Sequence, residues 1–105
     1  MSDKPMPVTI LEWRPFNRGK MRGFAKVGVG SLQINDVTIL VMDDGRVWAK
    51  LPDRPLLDRE GQPMRDENNN PRRAPVMQWA SRDASERFSA GVTIALKQFA
   101  PDVDL

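Results

Sequence analysis

Arg14-Pro15-Phe16-Asn17-Arg18-Gly19-Lys20-Met21-Arg22-Gly23-Phe24-Ala25-Lys26-Val27, then Leu32-Gln33-Ile34-Asn35-Asp36-Val37-Thr38-Ile39-Leu40-Val41-Met42, then Asp43-Asp44-Gly45-Arg46-Val47-Trp48-Ala49-Lys50-Leu51-Pro52 is a run of strand signals joined by short turns. From Met21 to Val29 the chain alternates. Met21, Gly23, Ala25, Val27 and Val29 fall on one face, and Arg22, Phe24 and Lys26 on the other. A period of two with one apolar face is the mark of a half-buried antiparallel strand. Asn17-Arg18-Gly19-Lys20 is the turn before it, because glycine accepts positive φ and asparagine favours turns.

Upstream, Val8 to Phe16 reads as the first strand, with Val8, Ile10 and Glu12 facing one way and Thr9, Leu11 and Trp13 the other. Pro15 lacks an N–H and marks a strand end or an edge. Downstream, Gly28-Val29-Gly30-Ser31 forms the next turn region. Val37 to Met42 is apolar on both faces, which fits either a central strand covered on both sides or a face covered by a partner subunit. Asn35-Asp36 breaks the alternation and predicts a bulge. Asp43-Asp44-Gly45 predicts a hairpin turn. Arg46 to Leu51 returns as a strand, with Val47, Ala49 and Leu51 inward and Arg46, Trp48 and Lys50 outward.

Five of the nine prolines lie between Pro52 and Pro75, with Gly61 and Asn68-Asn69-Asn70 among them. Leu56 to Met64 reads as a small hairpin, Arg65 to Arg73 as its mobile charged continuation, and Ala74 to Trp79 as a short extended segment. No internal repeat is evident. A helix is predicted from Asp83 to Phe99, capped by Ser81 or Asp83, with Asp83-Ala84-Ser85-Glu86 fitting a capping box. Ala84, Phe88, Val92, Ala95 and Phe99, with Leu96 beside them, form its apolar stripe. Ile94 falls on the opposite side and suits a subunit contact. Gly91 lowers helix propensity and permits close backbone approach. Pro101 ends the helix. The expected architecture is therefore α+β: one domain, with an antiparallel sheet of four to five strands packed against one C-terminal helix. Residues 1–7 are a flexible lead-in, 8–52 the sheet, 53–80 the hairpin and loop, 81–100 the helix and 101–105 a tail.

With 105 residues, 40% hydrophobic and 29% charged, the chain suits a single small globular domain. It has no apolar run of membrane-spanning length and no apolar signal core near its start, so a cytoplasmic protein is expected. It contains no Cys and no His. Disulfides, thiol nucleophiles, imidazole bases and the usual zinc sites are excluded together. An enzyme would have to work with carboxylates, lysines or hydroxyls alone. The acid pairs Asp43-Asp44, Asp58-Glu60 and Asp66-Glu67 lack the ligand spacing of a hard-metal loop and read as turn formers and surface charges. Gly28-Val29-Gly30 lacks the third glycine and following helix of a phosphate loop. No cofactor, metal or small-molecule substrate is expected, and no catalytic residue is assigned.

The net charge is only +2, but Arg14 to Lys26 holds five basic residues and no acid. Segregated charge creates a local potential that the net value hides. Arg14, Arg18, Lys20, Arg22 and Lys26 are thus candidate phosphate contacts, helped by Lys50 and by Arg72 and Arg73 in the proline-rich segment. Trp48 beside Arg46 and Lys50 offers a stacking face. The competing reading is an ordinary solvated strand face whose cations guard an edge.

The order of elements resembles the SpoVG family of bacterial septation and sporulation regulators, over Val8 to Pro52 and the terminal helix. The likeness is carried by Gly19-Lys20-Met21-Arg22-Gly23-Phe24-Ala25-Lys26-Val27, by Ile34-Asn35-Asp36-Val37 and by Gly45-Arg46-Val47-Trp48-Ala49-Lys50-Leu51-Pro52. It implies a small α+β domain that dimerises through its sheet, binds nucleic acid and regulates, with no enzyme activity and no cofactor. Departures are Asp53-Arg54, where the family has serine and a basic residue, and a longer segment 56–75. The family's basic positions before the helix would fall on Arg72, Arg73 and Arg82. The chain is also similar to whirly-type single-stranded-DNA-binding domains, which use the curved sheet face. The leading expectation is a homodimer that binds DNA or RNA. The alternative is a non-enzymatic protein-interaction module, phage- or plasmid-borne, using Trp48 and Ile94. A small carboxylate-dependent enzyme is a third, weaker reading.

Overall fold

Alternation and helical periodicity resolve into six strands and one helix in the computed structural model, which describes residues 4–105. The strands are β1 (Thr9–Arg18), β2 (Met21–Val29), β3 (Leu32–Val41), β4 (Val47–Lys50), β5 (Asp53–Pro55) and β6 (Arg73–Pro75), and the helix is α1 (Arg82–Phe99). The first four form one antiparallel sheet in the order β1-β2-β3-β4, and β5 pairs with β6 in a second small sheet. The α+β architecture matches the sequence expectation. Among the described residues, no helix is long and apolar enough to cross a membrane.

The core lies between the main sheet and α1. Ile10, Ala25, Val27, Ile34, Val37, Ile39 and Ala49 from the sheet meet Phe88, Val92 and Leu96 from the helix. Three of the predicted helix positions, Phe88, Val92 and Leu96, are completely buried, whereas Phe99 is 54% exposed. Phe99 is the last residue of the helix, and Ala100, Val103 and Leu105 pack on the core after it, so periodicity alone overstates its burial. The N-cap is Ser81, whose Oγ accepts from the Ala84 N–H at 3.1 Å. Asp83 lies inside the first turn instead of capping it, so the Asp83–Glu86 capping box is not formed.

Bulges re-aim several side chains. Ile10 pairs with Val27 and Glu12 with Lys26, so Leu11 is an extra residue in β1. The parity of the strand flips there, and Trp13 packs on the core side together with Ile10. That corrects the expectation of opposite faces for these two. Gly23 makes room for the indole: a Cβ there would come closer than 3.0 Å to both Trp13 and the Arg14 carbonyl. The bulge expected at Asn35-Asp36 is present, with Asp36 at φ 57°. After it, Val37 and Ile39 face the core, while Thr38 and Leu40 face away from the helix.

Two segments differ more strongly from expectation. The sequence predicts a loose lead-in over residues 1–7. Residues 1–3 lie outside the described residues, but Met6 donates its N–H to the Arg87 carbonyl at 2.9 Å and packs against the core. Arg87 Nε in turn donates to the Lys4 carbonyl at 2.9 Å. The lead-in crosses α1 at Gly91, where an added Cβ would collide with the Met6 carbonyl. This is the close approach that the glycine signalled.

Residues 56–71 are a tandem repeat, which the sequence reading did not find. Leu56–Pro63 and Met64–Pro71 share an apolar first residue, Asp third, a positive-φ residue sixth (Gly61 at 79°, Asn69 at 64°) and Pro eighth. Each aspartate side chain accepts two backbone N–H groups, Asp58 from Glu60 and Gln62, and Asp66 from Asn68 and Asn70, all at 2.9 Å. Three backbone bonds then close a ring: Leu56 N–H to Arg72, Met64 N–H to Leu56 and Arg72 N–H to Met64. Arg65 to Arg73 is thus a second copy of the first hairpin. Only Asp and Pro are identical between the two copies, and Asn69 stands where the first copy has glycine.

Candidate nucleic-acid interface

Strand register builds a row across the face that the helix leaves open. Arg14 pairs with Phe24, Phe24 with Thr38 and Thr38 with Lys50, so one residue from each of the four strands lies in line. Strands are about 4.8 Å apart, so the row runs roughly 14 Å between its terminal backbones. The Phe16 and Phe24 rings stack with centroids 6.2 Å apart, and the Arg14 guanidinium lies 5.5 Å from the Phe24 ring centroid. Phe16 is 49% exposed. Lys26 lies beside this row, opposite Glu12, and Leu40 pairs with Trp48 in the next one.

Acids that are distant in sequence meet most of the basic positions. Arg14 pairs with Asp36 at 2.8 Å, and Lys20 with Asp43 at 3.5 Å. Arg22 occupies a bulge opposite β3 and contacts the C-terminal tail, donating from Nε to the Asp104 carbonyl at 3.0 Å. It also pairs with the Asp104 carboxylate. Arg22 therefore does not share the open face with Phe24 and Lys26, as strict alternation had it. The acid-free character of Arg14–Lys26 is a property of the chain and not of the folded surface. Arg18, Lys26 and Arg72 have no ion pair among the described residues. The exposed pairs with Asp36 and Asp43 are worth little and leave both cations able to exchange partners.

Lys50 and Arg73 converge on one carboxylate. Asp53 takes Arg73 Nε at 2.6 Å and Lys50 Nζ at 3.0 Å, and its side chain is only 18% exposed. Burial opposes its ionisation, but the hydrogen bonds and charges of Arg73 and Lys50 outweigh that and hold its carboxyl below the ordinary 3.8. At the β3–β4 turn, the Arg46 N–H bonded to Asp44 is the first cause of that acid's lowered pKa. Desolvation is the next cause and opposes it, and the Arg46 guanidinium then adds to the lowering. The nine candidate residues thus divide into an open-face set (Arg14, Lys26, Lys50, Trp48), a set around the β1–β2 turn (Arg18, Lys20, Arg22) and an arm set (Arg72, Arg73).

Two further features were not legible in the sequence. A cleft of about 480 Å³ opens beside β4, lined by Trp48, Lys50, Asp53, Arg73, Met77 and Trp79 among others. A larger groove of about 820 Å³ runs between β4 and α1 and has both Trp48 and Ile94 in its lining. Among the described residues, no group of three or more acids is placed to hold a metal ion. In comparisons with known proteins, no family model, no curated protein and no solved structure matches this chain.

Proposed function

We propose that this protein is a cytoplasmic, non-enzymatic nucleic-acid-binding regulator of the SpoVG type that takes a single strand across its open sheet face. The row Arg14–Phe24–Thr38–Lys50 carries this reading. Cations stand at both ends, and an aromatic pair, Phe16 exposed and Phe24 half-buried, lies near one of them. Bases have π-faces that stack on such rings irrespective of sequence, while cations hold the phosphates. The surface used is the sheet face, as in the whirly-type likeness, with Arg18 and Lys20 extending the positive field at the β1–β2 turn. A homodimer accompanies this proposal. Its sheet contact would use β1, because β4's outward Ala49 N–H is already bonded to Ser89.

The test is fluorescence anisotropy with labelled single-stranded DNA, duplex DNA and RNA at low and high salt. Salt-sensitive binding with a preference for single strands is expected, weakened by Arg14→Ala with Lys26→Ala and by Phe16→Ala. No binding to any of the three at low salt would overturn the proposal. A second reading, a protein-interaction module, is favoured by the meeting of Trp48 and Ile94 in one groove, 41% and 49% exposed. Under that reading Ile94→Asp abolishes partner capture and leaves nucleic acid unaffected.

A further inference from the structure

We infer that the cleft beside β4 is a site for one nucleotide unit of a single strand, an unpaired base together with its phosphate. This rests on the nucleic-acid reading and deepens it, since Lys50 both ends the cation–aromatic row and lines the cleft. The cleft's volume, about 480 Å³, falls within the range of small-ligand pockets, roughly 300–1,000 Å³. Its lining has two chemistries. Trp48, Met77 and Trp79 supply an apolar, aromatic wall, and Lys50, Arg73 and Arg82 supply cations.

Trp79 and two of the cations are held in place. Trp79 lies against the buried ring of Phe88, with centroids 5.0 Å apart and planes tilted by 46°. Asp53 clamps Lys50 and Arg73 from within the same lining. One carboxylate under two cations leaves a net positive charge and spares both long side chains much of their ordering cost on binding. The α1 N-terminus adds to the positive end through Ser81 and Arg82, with its dipole favouring an anion. Among the described residues the buried Trp79 Nε1 has no hydrogen-bond partner. An aromatic wall beside fixed cations suits a base with a phosphate. A bare phosphate would leave the tryptophans unused, and a paired base would not be free to enter.

The test uses 5′-AMP, 5′-CMP, 5′-GMP and 5′-UMP, with inorganic phosphate as the comparison, on the full chain followed by the indole N–H resonances of its three tryptophans. The expected result is a saturable shift of the Trp48 and Trp79 signals by mononucleotide, an unmoved Trp13, and no matching shift from phosphate. Trp48→Ala and Arg73→Ala should each weaken binding about tenfold, the loss of one base–aromatic stack or one charged contact. Trp48 is exposed on an edge strand, and a dispersed amide spectrum verifies that the variant is folded. Absence of a shift at Trp48 and Trp79, an equal shift with phosphate alone, or unaltered binding in Trp48→Ala would each overturn the inference.

The same variants are run against a labelled oligonucleotide. Oligonucleotide binding that survives both cleft substitutions but falls with Arg14→Ala and Lys26→Ala overturns the cleft alone. Mononucleotide binding without oligonucleotide binding overturns the open-face reading and, with it, the assignment of the cleft to a strand.

Discussion

The hydroxyl of Ser89 accepts the backbone N–H of Ala49 at 3.0 Å, deep between helix and sheet. Ala49 sits in the edge strand β4 with its N–H turned away from β3. The helix therefore supplies the partner that a fifth strand would have supplied. It blunts one edge of the sheet, which would otherwise invite pairing with another chain. Ser89 is itself 6% exposed, so the bond is made out of water's reach.

Ser89→Ala leaves that buried N–H without an acceptor. An unsatisfied buried donor costs about 1–3 kcal/mol. Urea denaturation followed by circular dichroism should show a loss in this range at unchanged slope. Ser89→Thr, which keeps a hydroxyl, should lose less.

Gly91→Ala opposes two effects. Alanine gains about 1 kcal/mol of helix propensity over glycine, but its Cβ would meet the Met6 backbone. Overpacking against main chain costs about 1–3 kcal/mol, so net destabilisation is expected. In a chain lacking residues 1–7 the main-chain collision is gone and the Val8 methyl, at 3.1 Å, is the close contact that remains, so the same substitution should cost much less. A thermal-melt double-mutant cycle checks that coupling.

Asp58→Ala and Asp66→Ala should have matching effects, because the two loops make the same pair of side-chain bonds. Each loss is local, about 1 kcal/mol, and should show as faster amide exchange at residues 60 and 62 or at 68 and 70. Asn at either position keeps the acceptor and should largely rescue protection.

The Asp53 clamp should loosen in acid. Its folded pKa lies below the ordinary 3.8. The stabilisation is therefore complete above 3.8 and is lost as pH falls through the folded value. Amide exchange of the β5–β6 pair should accelerate in that window. Asp53→Asn should be weaker at neutral pH and lack the acid transition.

Removing phosphate contacts should flatten the salt dependence of single-strand binding. Each lost contact lowers the slope of log K against log salt by about 0.7. Arg14→Ala with Lys26→Ala should therefore remove about 1.4 in total, read from anisotropy titrations at several salt concentrations. An unchanged slope would place the phosphates elsewhere.

Much of the framework follows from local pattern. Alternation in Met21–Val29, the Asp43-Asp44-Gly45 turn, the 3.6-residue recurrence of Phe88, Val92 and Leu96, and the break at Asn35-Asp36 each act through near neighbours. Those rules of sterics and burial hold wherever the chain goes. Even the exposed Ile94 was legible as a position off the helix's buried stripe.

Long-range meetings decided the rest. An extra residue at Leu11 turned Trp13 inward, because register depends on the partner strand and not on the strand itself. Asp36, Asp43 and Asp104 reached basic residues far from them in sequence, so a run without acids became a largely paired surface. Gly91 announced that some backbone would come close, but only the packed fold showed that it is Met6. The cleft brings together β4, β6 and the segment leading into α1. Linear spacing carries no information about which side chains such distant segments will place in contact.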